Sequence, residues 1–139
     1  MGDSASLGLK PAMTLKGELH LVKDVPSGSA VGYGGTAITS SDTKLAIVAL
    51  GYSDGIPRNA SNSCGVFVAG QRAPIIGRVS MDQFVVDLGK DSTAQSGDTA
   101  IIFGGPGYSI DEWAAACATI NYEIVTRIAT RVPRVYGDN

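Results

Sequence analysis

The stretch MTLKGELHLVKDV at 13–25 constrains this chain more than any other. Leu15, Leu19, Leu21 and Val25 fall on one parity, and Lys16, Glu18, His20 and Asp24 on the other. A period of two marks a strand with one buried face, and no helix presents it. Beyond Val25 the chain continues in short runs broken by turn residues. Pro26-Ser27-Gly28-Ser29 reads as a turn, and AVGYGGTA at 30–37 surrounds Tyr33 with Gly32, Gly34 and Gly35. After a polar break at 39–42, KLAIVALG at 44–51 is a continuous apolar run, the pattern of a strand buried on both faces. Residues 52–64, YSDGIPRNASNSC, form a long polar loop of the kind that often carries function.

Residues 66–69 and 73–76 read as two strands of a hairpin joined through Gly70-Gln71, with further strands at 84–88 and 99–103. One clear helix signal comes next. Ser109-Ile110-Asp111-Glu112 is a capping box, in which Ser109 and Glu112 satisfy each other's free amides before WAAACATI. NYEIVTRI at 121–128 adds a second short helix, with Ile120, Ile124, Val125 and Ile128 on one face. RVPRVY at 131–136 alternates around Pro133 and reads as an edge strand. The expected fold is mainly β: an antiparallel, Greek-key β-barrel-like domain or sandwich with one or two short helices near the C-terminus. Residues 1–8 read as a disordered segment or truncation scar, and residues 9–139 as one domain.

Composition narrows the function classes. With 44% hydrophobic and 17% charged residues the chain is an ordinary globular one. A net charge of −2 argues against nucleic acid as a partner, and Arg127, Arg131 and Arg134 read as a solvated helix and strand face. Cys64 and Cys117 lack metal-ligand spacing and there is one histidine, so no metal site is expected and both thiols read as reduced, in a cytoplasmic protein. MGDSASLG has no apolar core, so no signal peptide is expected, and LAIVAL at 45–50 is too short to span a membrane.

His20 lies on the polar parity and reads as solvated; GGPG at 104–107 reads as a turn, and no lysine stands in a context that marks covalent catalysis. Three segments are more informative: VGYGGT, GYSDGIPR at 51–58 and GRVSMDQF at 77–84. Each places an aromatic or charged group at a strand end, where barrels present ligand contacts.

The succession LKPAMTLKGEL, VGYGGT, GYSDGIPR, PIIGRVSMDQFVVDL, SGDTAIIFG, TINYEIVTRI and RVPRVY resembles the C-terminal domain of bacterial alanine racemase, from about residue 9 to the end. That resemblance implies a part of a pyridoxal-phosphate enzyme that interconverts L- and D-alanine, the latter a peptidoglycan precursor. The cofactor's lysine would lie in an N-terminal (β/α)8 barrel, to which nothing in this chain corresponds. Racemisation needs a proton removed from one face of the α-carbon and returned to the other, so a second acid/base must face the lysine. The resemblance assigns that role to Tyr33, offered across a homodimer to the second subunit's barrel. A free tyrosine has a pKa of about 10, so groups from the barrel must assist it. The resemblance further places Met81, Tyr52, Arg78 and Asp82 at the substrate and Tyr122 at the cofactor phosphate. Arg58 and Ile120 would line the entrance. The family usually carries serine where this chain has Gly32. The isolated chain is expected to be inactive. Alternatives are the β domain of a related racemase or decarboxylase, the latter having no use for VGYGGT, or a stand-alone β-barrel interaction module.

Overall fold

The 13–25 stretch forms the longest strand, β1 (Leu15–Val25), in a computed structural model that describes residues 6–137. Of the segment 1–8 expected to be disordered, residues 1–5 lie outside the described residues and 6–8 form an exposed turn. β1 pairs antiparallel with β4 (Thr43–Val48) through its second half and with β8 (Thr99–Phe103) through its first. Around it stand β5 (Gly65–Val68), β6 (Gln71–Pro74) and β7 (Phe84–Asp87), in the order β6-β5-β8-β1-β4-β7. The outer strands meet through a bridge between Ile75 and Val86, and the Ile76 amide donates to the Val85 carbonyl at 2.9 Å. The sheet is thereby nearly closed into a barrel. β2 (Ala30–Val31) and β3 (Ala37–Ile38) make a separate ribbon that carries Tyr33 at its turn.

The alternation of β1 holds only as far as His20. Leu15 and Leu19 are buried, but Leu21 is exposed and Val22 packs against the core instead. The cause is a bulge: Leu19 pairs with Val48 and Leu21 with Ile47, so His20 is an extra residue and parity flips beyond it. β4, expected to be buried on both faces, is buried on one. Ala46 and Val48 point into the core, while Lys44, Leu45 and Ile47 are half-buried. The β5–β6 hairpin turns one residue earlier than expected. Val68 pairs with Gln71, leaving Ala69 (φ 49°) and Gly70 (φ 79°) as a two-residue turn with both φ positive.

α1 (Ile110–Ala116) begins at the expected capping box. The Glu112 amide donates to Ser109 Oγ at 3.1 Å, and the Ser109 amide to Glu112 Oε2 at 2.7 Å. This helix delivers Trp113 into the core cluster that also holds Leu19, Phe84, Ile102 and Phe103, and its indole N–H donates to the Ile102 carbonyl at 2.8 Å. α2 (Asn121–Arg127) buries Ile124, and Ile128 just beyond it, whereas Ile120 is its N-cap residue and stays exposed. The tail at 131–136 is not a strand. The Arg134 guanidinium donates to the carbonyls of Ile128, Ala129 and Val132 at 2.7–2.8 Å, so it curls the tail against the end of α2. Among the described residues no helix is long and apolar enough to cross a membrane.

Candidate functional site

Three segments from distant parts of the chain converge beside the barrel. The first is the β2–β3 turn, where Tyr33 stands 78% exposed. Gly32 before it has φ 78° and ψ 179°, a backbone region open essentially to glycine alone. A Cβ on Gly32 would also lie 3.2 Å from the Arg78 amide nitrogen, so the turn is seated directly on the second segment, 77–82. The third is the one-turn helix Tyr52–Asp54. It is fastened to 77–82 by its backbone: the Tyr52 amide donates to the Ser80 carbonyl and the Ser53 amide to the Met81 carbonyl, both at 3.0 Å. Gly51 makes that approach possible, since a Cβ there would fall 2.2 Å from the Met81 carbonyl oxygen.

Between these segments lies a cavity of about 440 Å³ lined by Tyr33, Tyr52, Arg58, Arg78, Ser80 and Met81, among others. Two phenols, two guanidiniums and a thioether give it donors, a positive balance and an apolar wall, and no carboxylate or lysine lines it among the described residues. Such a set suits a small anionic or zwitterionic molecule. It also contains a titratable phenol, that of Tyr33, left largely in solvent.

The family model for the alanine racemase C-terminal domain matches residues 12–136. The chain belongs to the alanine racemase family. It is 53% identical over 135 residues to the alanine racemase of Salinispora arenicola, covering 94% of this chain and 36% of that protein. Against the alanine racemase of Thermobifida fusca it is 54% identical over 132 residues, covering 93% of this chain and 35% of that protein. The crystal structure of alanine racemase from D-cycloserine-producing Streptomyces lavendulae superposes with a TM-score of 0.93 at 54% identity, covering 99% of this chain and 37% of that one. This chain therefore spans about a third of the length of the alanine racemases it matches, and corresponds to their C-terminal domain.

Within this alanine racemase domain, the residues singled out by sequence separate into two places. Tyr33, Tyr52, Arg58, Arg78 and Met81 share the 440 Å³ cavity. Asp82 is their neighbour in sequence but does not line it. Its carboxylate accepts from the Arg131 guanidinium at 3.0 Å and lies 3.0 Å from Ser53 Oγ, and the Arg131 bond holds its pKa below the usual aspartate range. Tyr122 lies elsewhere, on the first turn of α2. It borders a second cavity of about 390 Å³ with Lys10, Met13, Ser109, Ile110 and Asn121. Ile120, beside it, is 63% exposed.

Two residues that the sequence does not single out hold the first site together. Asp54 is buried, accepts from the Gly51 amide at 2.8 Å, and pairs with Arg131 Nε at 2.7 Å. Arg131 is solvent-exposed, as its sequence context suggests, but its guanidinium is also engaged with the side chains of Ser53, Asp54 and Asp82. Arg127 and Arg134 are likewise taken up, by Glu123 and by backbone carbonyls. The signal available in the sequence is an aspartate between two apolar-bounded glycine turns, SDG, which is too common to single out.

Proposed function

We propose that this chain is the C-terminal domain of a pyridoxal-phosphate-dependent alanine racemase and that Tyr33 is its acid/base on one face of the substrate α-carbon. The observation that carries the reading is the presentation of Tyr33. An aromatic ring left 78% exposed, on a turn locked by Gly32 against Arg78, is positioned to work on something outside this chain. Two-base proton transfer requires one group on each face, and the cavity offers one. The opposite base, the cofactor lysine, then belongs to the N-terminal barrel that the resemblance implies, presented by a second subunit of a homodimer.

The donor set around Tyr122 fits one side of a phosphate. Its residue is 73% exposed, and Lys10 is the one charged residue that lines that cavity among the described residues. When bound, pyridoxal phosphate supplies the electron sink that lets the α-proton leave. Tyr122 would donate its hydroxyl proton to the phosphate. In the other cavity, the Tyr33 hydroxyl delivers a proton to the α-carbon in one direction and its oxygen removes one in the other. Arg78 lies against the turn of Tyr33, its guanidinium nitrogen 3.9 Å from where a Cβ on Gly34 would sit. It provides a positive charge beside the phenol oxygen's approach and toward a substrate carboxylate. Tyr52 and Met81 narrow the cavity to a small side chain.

The test is Tyr33→Phe in the full-length protein, followed by exchange of the α-hydrogen of each enantiomer with deuterated solvent. Racemisation is expected to fall about 10²- to 10⁴-fold. Exchange should survive for the enantiomer whose proton faces the opposite base and vanish for the other. Equal and small losses for both enantiomers would remove Tyr33 from the role.

A further inference from the structure

Arg131 connects the C-terminal tail to both loops that wall the Tyr33 cavity. Its Nε donates to Asp54 Oδ1 at 2.7 Å, on the one-turn helix that begins with Tyr52. One terminal nitrogen donates to Asp82 Oδ1 at 3.0 Å, next to Met81, and the same nitrogen bonds Ser53 Oγ. Ser53 Oγ lies 2.7 Å from the Met81 carbonyl and 3.0 Å from Asp82 Oδ1, two acceptors for its one proton, and the Ala129 amide donates to the Asp54 carbonyl at 3.0 Å. Arg134 fixes the curl of the tail from which Arg131 reaches.

The chemistry of this junction is specific to a guanidinium. Asp54 keeps a side chain only 10% exposed, and a carboxylate that far out of water needs both a cation and hydrogen bonds. Gly51 N–H and Arg131 supply them. A planar fork can reach Asp54 with one edge and Asp82 with another, which a single ammonium cannot do in one geometry. Tyr52 and Met81 are 43% and 55% exposed, so burial of their own side chains does little to hold them in place.

We propose that Arg131 is a positioning residue for the Tyr33 cavity: it holds the loops of Tyr52 and Met81 at a set separation, and so sets how tightly the site closes on its substrate. Arg131 lines no part of the cavity and touches no reacting atom; its effect passes through Ser53, Asp54 and Asp82. The cavity's function rests on the racemase reading, while the clamp itself does not.

The experiment uses the full-length gene product with Arg131→Met, Arg131→Lys, Asp82→Asn and the double variant R131M/D82N. Hydrogen exchange is read by mass spectrometry on peptides spanning 51–55 and 79–83, beside steady-state kinetics with alanine. Arg131→Met is expected to speed exchange in both peptides about tenfold with β1 and β8 unchanged, and to raise KM about tenfold while kcat moves less than about threefold. Arg131→Lys should recover less than half of that loss. Asp82→Asn keeps the buried Asp54 pair, so it should fold normally and loosen 79–83 alone. The double variant should be no worse than Arg131→Met, because one connection is broken twice. Unchanged exchange in both peptides, an equal rise across the barrel strands, or full additivity of the two substitutions would overturn the proposal. Local loosening in a protein that never racemises alanine would sink the racemase reading and leave the clamp standing. Racemisation in the parent, with KM and exchange unaltered in Arg131→Met, would do the reverse.

Discussion

The region around Trp113 and the region around Tyr33 are built on opposite principles. Trp113 is fully buried in the same core cluster as Leu19, Phe84, Ile102 and Phe103, and its one polar side-chain atom is spent on the Ile102 carbonyl. Tyr33, Tyr52 and Met81 leave 78%, 43% and 55% of their surface in water. Around Trp113 the shape comes from filling space, because removing apolar area from water rewards any close packing. Around Tyr33 the apolar burial is confined to small anchors such as Val31 and Val79, and the shape is held by backbone hydrogen bonds, glycine contacts and the Arg131–Asp54 pair. A site that must admit a substrate and a partner surface has to leave its aromatic groups uncovered, so its geometry needs polar fastening.

That contrast is open to measurement. The largest effect belongs to the packed region: Trp113→Ala should cost about 3–5 kcal/mol in urea unfolding, through lost apolar contact and an orphaned Ile102 carbonyl. A cost below about 1 kcal/mol would mean that the packed region is not where stability resides.

A smaller effect belongs to the helix cap that presents Trp113. The Ser109 amide, then the Arg72 guanidinium, hold the Glu112 carboxyl below the usual glutamate range. A depressed folded-state pKa means the stabilisation is present above the unfolded value, about 4.3, and is lost as pH falls through the folded one. Glu112 is half exposed, so its ion pair is screened and the whole contribution stays near or below about 1 kcal/mol. Glu112→Gln should therefore flatten the decline in stability below about pH 4.3 and lower it slightly at neutral pH, read as Tm against pH. An unchanged acid limb would detach Glu112 from that decline.

The smallest effect belongs to the exposed region. Tyr33→Phe should leave unfolding free energy within about 0.5 kcal/mol of the parent, because an exposed ring with no packing role has little to lose. A loss of about 2 kcal/mol or more, that of a core truncation, would erase the distinction between the two regions.

Chemical reactivity offers another probe of the packed side. Burial raises the thiol pKa of both Cys64 and Cys117, the former well above the ordinary cysteine range, and Cys117 adds to the shift at Cys64. Neither should be alkylated at about pH 8 until the barrel unfolds, since the thiolate is the reactive form. Modification by iodoacetamide of the native protein at the rate of a free thiol would show that this region opens locally.

Much of this architecture is legible in the sequence. The capping box at Ser109 and Glu112, the turn residues between strands, the strand at 99–103 and the exposed Tyr33 between glycines are all determined within a few neighbours. There, propensity, cap chemistry and period act directly. The succession of motifs from LKPAMTLKGEL to RVPRVY is enough to point to the family, because their order encodes the whole domain at once.

Other features were decided only by the folded chain. Nothing near His20 announces that it bulges and sends Leu21 outward and Val22 inward; the pairing with β4 settles that. RVPRVY has the pattern of an edge strand, yet Arg134 finds three carbonyls at the end of α2 and curls it away. Ile120 shares the apolar face of α2 by period but caps the helix in water. Asp54 and Arg131 stand 77 residues apart, and neither has a neighbour that would name the other as its partner. Local rules choose strands, turns and caps because their energies depend on adjacent residues. Register, tail path and a buried ion pair depend on which distant surfaces meet, and those meetings exist only once the barrel has closed.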